Sequence, residues 1–189
     1  MELIPLDALR QATATAHQEL EKDLFGDRIR SGTLTAKELN VLLAVNHHFL
    51  EAVERNALRH PSLVEFVAPR AQLACDDLHA MGCATLPSGT ALDAASDSEM
   101  RGALYVALGS SLGVTMIGNL LKRMPQFHGR TPSFFTSDPD ALTRWRVFSQ
   151  DLGRPTVGVV VSRIVDGALR TFAMARHGLA QMTNETVQP

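Results

Sequence analysis

One stretch narrows the possible folds more than any other. Residues 103–121, ALYVALGSSLGVTMIGNLL, carry no charged side chain. About 20 apolar residues is the length a helix needs to cross a bilayer. Gly109 and Gly113 also have the GxxxG spacing that lets membrane helices approach closely. Two structures satisfy such a run: a dimerising transmembrane helix, or a helix buried in the middle of a soluble bundle. Ser110, Ser111, Thr115 and Asn119 interrupt it, and Gly109, Gly113 and Gly118 dilute it. The remainder is soluble in character, with 45% hydrophobic and 20% charged residues over 189 positions. A buried core helix, and no membrane span, is therefore expected.

The flanking sequence is helical as well. Thr35-Ala-Lys-Glu38, Ser62-Leu-Val-Glu65 and Ser96-Asp-Ser-Glu99 have the capping-box form, a hydroxyl followed three residues later by Glu. Ser137-Asp-Pro139 offers a cap with Pro in the first turn, and Pro155 opens a last helix in the same way. Leu6, Leu9, Thr13, Ala16, Leu20 and Leu24 recur at three-or-four-residue steps, as do Leu39, Leu42, Leu43, Phe49, Leu50 and Val53. These signals predict helices near 6–25, 35–59, 62–82, 96–124, 138–152 and 155–181. Loops are predicted over 81–95 and 125–139. The run Thr156-Val-Gly-Val-Val-Val-Ser resembles a strand, but it leads without a breaker into helical sequence, and helix is preferred. The expected organisation is one all-α domain over 1–189, with a short flexible tail near 182–189.

Composition excludes several classes of function. Eighteen basic against 20 acidic residues give a formal charge of −2, so no cationic face is imposed and nucleic acid is not an expected partner. Cys75 and Cys83 cannot build a disulfide framework. The opening Met1–Asp7 is acidic and broken by Pro5, unlike a secretory leader. A cytoplasmic location is expected. No Glu-x-x-His, HExxH, P-loop or GxGxxG motif occurs, so di-iron, zincin and nucleotide chemistry are unsupported.

Among seven histidines, His17 is the best placed, because Glu21 lies one turn on and shares its face. A carboxylate beside an imidazole holds one ring nitrogen and frees the other for a metal. A haem ligand is one use of that arrangement; an ordinary surface histidine is the other. Gly109 and Gly113 weaken one face of a helix, at about 1 kcal/mol each relative to Ala. They serve either close helix packing or the seating of a flat ligand against bare backbone.

Together these segments resemble a known family. Leu9-Arg-Gln-Ala-Thr-Ala-Thr-Ala-His17-Gln-Glu-Leu-Glu21 is similar to the proximal-helix motif of haem oxygenases. Tyr105-Val-Ala-Leu-Gly109-Ser-Ser-Leu-Gly113 resembles the distal helix of their bacterial branch. Trp145-Arg-Val-Phe148 and Ala168-Leu-Arg-Thr-Phe172 are similar to weaker downstream landmarks.

The resemblance implies a single-domain, haem-oxygenase-like helical bundle. It further implies a biliverdin-producing haem oxygenase, with haem as both substrate and cofactor, O2 as co-substrate, and CO and iron as the other products. Electrons would come from a ferredoxin or a flavin reductase. By the same resemblance His17 is the axial iron ligand and Glu21 its partner. Gly109 and Gly113 lie over the haem face, and Ser110 and Ser111 hold pocket waters. Arg10 and Tyr105 bind the propionates, and His47 reaches distal water. Val114 stands where many members have a further glycine, and Leu108 where an acidic residue is frequent. Basic partners on the last helix are open among Arg163, Arg170 and Arg176. Two other readings stand beside this one: a non-catalytic haem-binding sensor or carrier on the same fold, and a helical interaction module without haem.

Overall fold

Bare backbone decides how two long helices meet. The structure, a computed structural model, describes residues 5–87, 92–136, 138–154 and 159–185. Seven α-helices run through them: α1 Pro5–Asp23, α2 Gly26–Ser31, α3 Ala36–Ala57, α4 Ala71–Ala80, α5 Asp97–Leu121, α6 Ala141–Leu152 and α7 Val161–Glu185. No strand occurs among the described residues. At the crossing of α5 and α7, a Cβ on Gly102 would overlap the Ile164 carbonyl oxygen, and one on Gly167 would overlap that of Glu99. Only glycine at both positions lets the two backbones come this close. Gly118 likewise gives room to the Phe135 carbonyl oxygen.

The other helices are arranged around that pair. α1 and α3 pack on α7, α4 packs on α3, and α6 packs on α5. Leu9, Leu43, Met100, Leu104, Phe148 and Ile164 are fully buried where these helices meet. α5 is long and apolar enough to cross a membrane. It packs against α3, α6 and α7 as the core helix of the bundle. The expected all-α architecture is the one found.

The helix starts follow local chemistry in two cases. At α3, Thr35 Oγ1 accepts from the Glu38 amide at 3.3 Å, and Glu38 Oε2 accepts from the Thr35 amide at 2.8 Å. At α5, Ser96 Oγ accepts from the Glu99 amide at 3.3 Å, while the Glu99 carboxylate takes the Ala95 amide at 2.6 Å.

Elsewhere distant residues intervene. The helix expected over 62–82 is split into a 3-10 turn, Pro61–Phe66, and α4. Pro69 lies between them, and the residue before a proline is pushed out of the helical region. Ser62 caps nothing; its hydroxyl donates to Asp97 Oδ2 at 2.7 Å. Glu54 of α3 supplies the missing cap of α4, accepting from the Arg70 and Ala71 amides at 2.8 Å each.

α6 starts at Ala141, later than expected. Ser137 lies outside the described residues, and Asp138 is engaged by Arg70 at 3.2 Å and by Arg144. Pro155 and residues 156–158 also lie outside them. α7 is helical from Val161, and Ser98 Oγ accepts from the Val160 amide just before it at 3.0 Å. At the other end α7 continues to Glu185, through the start of the expected tail; residues 186–189 lie outside the described residues.

Candidate functional site

α1 and α5 both pack on α7, and a cavity of about 550 Å³ lies between them, closed by α3 and bordered by α2 and α6. That volume is within the range of small-molecule and cofactor sites, roughly 300–1,000 Å³. On α1, Arg10, Thr13, His17 and Glu21 recur at helical steps and form one wall; on α5, Tyr105, Gly109, Gly113 and Ile117 form another. Leu42, Asn46 and Phe49 of α3 line the cavity too. Phe172 and Ala175 of α7 complete a largely apolar lining.

Three polar side chains on these walls are engaged by their own helix. Thr13 Oγ1 donates to the Leu9 carbonyl at 2.6 Å, and Ser110 Oγ donates to that of Ala107 at 2.7 Å. Asn46 is 6% exposed and spends its amide nitrogen on the Leu42 carbonyl at 2.8 Å.

The His17 side chain is 64% exposed, with Nδ1 3.9 Å from Glu21 Oε2. Its ring stands edge-on to Phe172, with centroids 6.0 Å apart. The other Glu21 oxygen is held by Arg30. Arg10, 60% exposed, pairs with Asp7 at 3.7 Å. Tyr105 and Trp145 stack at a tilt, with ring centroids 5.6 Å apart.

The two cavity glycines differ from the packing glycines of the same helix. A Cβ on Gly109 would make ordinary contact with the Trp145 ring at 3.7 Å, and one on Gly113 would meet nothing within 4 Å. No protein neighbour requires Gly113 to lack a side chain.

Seven of the nine residues singled out from the sequence thus line one cavity: Arg10, His17, Glu21, Tyr105, Gly109, Ser110 and Gly113. Two do not, and helix rotation is the reason. His47 is buried on the side of α3 facing Glu51 and His79, and the polar α3 side chain in the cavity is Asn46. Burial holds the His47 imidazole below the usual histidine range, against the pull of Glu51. Ser111 turns to a small void beside Leu50, Val53 and Phe66, donating to the Ala107 carbonyl at 3.2 Å.

Of the basic candidates on α7, Arg170 pairs with Glu99 at 2.8 Å and Arg176 with Glu19 at 2.7 Å. Arg163, Arg170 and Arg176 are not among the lining residues. Asn46 and Arg30 line the cavity without having stood out in the sequence. Asn46 shares the Leu42–Phe49 face, a register signal that was available; Arg30 arrives through a chain reversal that no motif marks.

Among the described residues no group of three or more His, Cys, Asp or Glu side chains is arranged to hold a metal ion.

No family model matches the sequence, and no curated protein matches it. Among solved structures, the haem oxygenase of Neisseria meningitidis, studied in NO- and CO-bound crystals, is similar with a TM-score of 0.69. The likeness covers 96% of this chain and 92% of that one, at 19% sequence identity. The fold is that of haem oxygenases.

Proposed function

We propose that the protein is a haem oxygenase, cleaving haem to biliverdin, CO and iron with O2 and externally supplied electrons. The observation that carries the proposal is the bare backbone of Gly113. A glycine in a helix interior costs about 1 kcal/mol relative to Ala. The space a Cβ would fill there opens into a cavity that also receives an imidazole. A flat macrocycle whose metal accepts an imidazole suits that slot and that single donor. The shared fold supports the same substrate class.

Haem, when bound, supplies the iron at which O2 is reduced and the porphyrin edge that is oxidised. His17 would hold the iron through its imidazole, and a neutral imidazole pushes less electron density onto iron than a thiolate does. Glu21 orients His17 through its Nδ1 side; the 3.9 Å gap is one that a bridging water spans. Gly109 and Gly113 would present main chain to the bound macrocycle. Ser110, beside them, holds water by its hydroxyl. Leu42, Phe49, Val106 and Phe172 enclose the macrocycle and exclude bulk water. Arg10, by a charge-assisted bond, and Tyr105, by its phenol, take the propionates. A ferredoxin or flavin reductase delivers the electrons. A reducing cytoplasm suits both that supply and the free Cys75 and Cys83.

Val114 lines the cavity next to Gly113 and narrows it, which favours a haem carrier as the second reading. Haem-loaded protein given ferredoxin, its reductase, NADPH and O2 separates the two. Formation of biliverdin with loss of the Soret band is the expected result. A complex that takes electrons and O2 yet releases no bilin assigns the carrier role.

A further inference from the structure

This inference rests on His17 being the haem ligand and concerns what governs that imidazole. We propose that Arg30 is a positioning residue that acts through Glu21: by holding one oxygen of the carboxylate, it limits the charge Glu21 lends to His17. The two oxygens of Glu21 are divided. Oε1 is bound by Arg30 Nη1, and Oε2 faces His17 Nδ1 at 3.9 Å, beyond direct hydrogen-bond distance. Arg30 is itself fixed at a second point, with Nη2 donating to Asp27 Oδ1 at 2.8 Å.

The chain is shaped to make this contact. Phe25 adopts a left-handed conformation, φ 64°, which reverses the chain between α1 and α2. Gly26 follows; a Cβ there would lie 2.8 Å from the Glu21 carbonyl oxygen, so only glycine lets α2 fold back onto the last turn of α1. Arg30 on α2 is thereby returned to Glu21, nine residues earlier.

An exposed ion pair ordinarily contributes little. Here Arg30, Glu21 and His17 all line the cavity, so a seated ligand covers them and strengthens their interaction as water leaves. A carboxylate that accepts the outer N–H of a metal-ligating imidazole raises the basicity of that ligand. A carboxylate already shared with a guanidinium raises it less. Arg30 therefore limits how far Glu21 strengthens the ligand and keeps the ferrous state accessible.

The test compares haemin complexes of wild type, Arg30→Met, Glu21→Gln and the double variant. Two readouts are used: the iron–imidazole stretch of the reduced complex by resonance Raman, and the oxidised-to-reduced ratio at a fixed solution potential. In Arg30→Met the freed Glu21 closes on His17. The stretch moves to higher wavenumber, and the ratio rises, by about tenfold where the effect matches the lower end of what outer partners exert on metal affinity. In the double variant both values return to those of Glu21→Gln. A wild-type stretch and ratio in Arg30→Met overturns the proposal, and so does a shift that survives Glu21→Gln. Arg30→Ala, which likewise removes the donor, gives the same comparison if Arg30→Met does not fold. Wild-type protein without a His17-dependent haem spectrum defeats the functional reading itself; a normal spectrum with unshifted Arg30 variants defeats this inference alone.

Discussion

Replacing Gly113 by alanine should make the ligand-free protein more stable and its ligand-bound form weaker. In a helix interior, glycine is less favourable than alanine by roughly 0.5–1 kcal/mol, because it loses more backbone freedom on folding. The new methyl group meets nothing within 4 Å, so no steric term opposes the gain. For a chain of this size 1 kcal/mol moves Tm by about 2–4 °C, which puts the expected rise at about 1–4 °C. The same methyl group enters the space between α5 and α1 where a macrocycle would lie. Gly113→Leu fills it with a branched side chain and should abolish turnover and most haemin uptake. Calorimetry of ligand-free protein and haemin titration of both variants measure the two effects. A fall in Tm for Gly113→Ala would place the glycine among the packing residues. Full binding and turnover in Gly113→Leu would refute the assignment of α5 to the ligand's face.

Gly102→Ala and Gly167→Ala should behave in the opposite sense. Each drives a Cβ into a carbonyl of the partner helix, and overpacking of this kind costs roughly 1–3 kcal/mol or more. Unchanged thermal melts would contradict the close α5–α7 crossing. Acid should destabilise the fold through His47 and His48, whose imidazoles are held below their ordinary value of 6.5 chiefly by burial. His177, His47 and His79 add repulsion, and Glu51 opposes it. The unfolded chain takes up these protons first, so the stabilisation is complete above pH 6.5 and is lost as pH falls through that value. Each histidine contributes a slope of up to about 1.4 kcal/mol per pH unit. Urea melts of His47→Gln and His48→Gln should show a shallower loss between neutral and mildly acid pH; a slope equal to wild type would show that neither imidazole is kept neutral by the fold.

What was legible in the sequence was what local chemistry decides. The Thr35–Glu38 box marks the start of α3 because both of its bonds are made within four residues. His17 and Glu21, and Gly109 and Gly113, fall on shared faces because a four-residue step fixes that in any helix. What was not legible depends on distant partners or on a single step of rotation. Ser62 has the form of a cap but serves Asp97, a residue far along the chain. α4 is capped by Glu54 from another helix. His47 and Asn46 are adjacent, yet one residue turns a side chain by about 100°, and only the Leu42–Phe49 register selects Asn46 for the cavity. Ser110 and Ser111 divide in the same way. Arg30 reaches Glu21 through the reversal at Phe25 and Gly26, which has no sequence signature beyond the glycine.

The most direct measurement is the absorption spectrum of the protein titrated with haemin, beside that of His17→Ala. The His17 side chain is 64% exposed, so its removal should leave the thermal melt of the ligand-free protein nearly unchanged. Wild type should develop a stoichiometric Soret band that His17→Ala loses and that added imidazole restores. An identical band in the two proteins, or none in either, would contradict a haem held by this histidine against the glycines of α5.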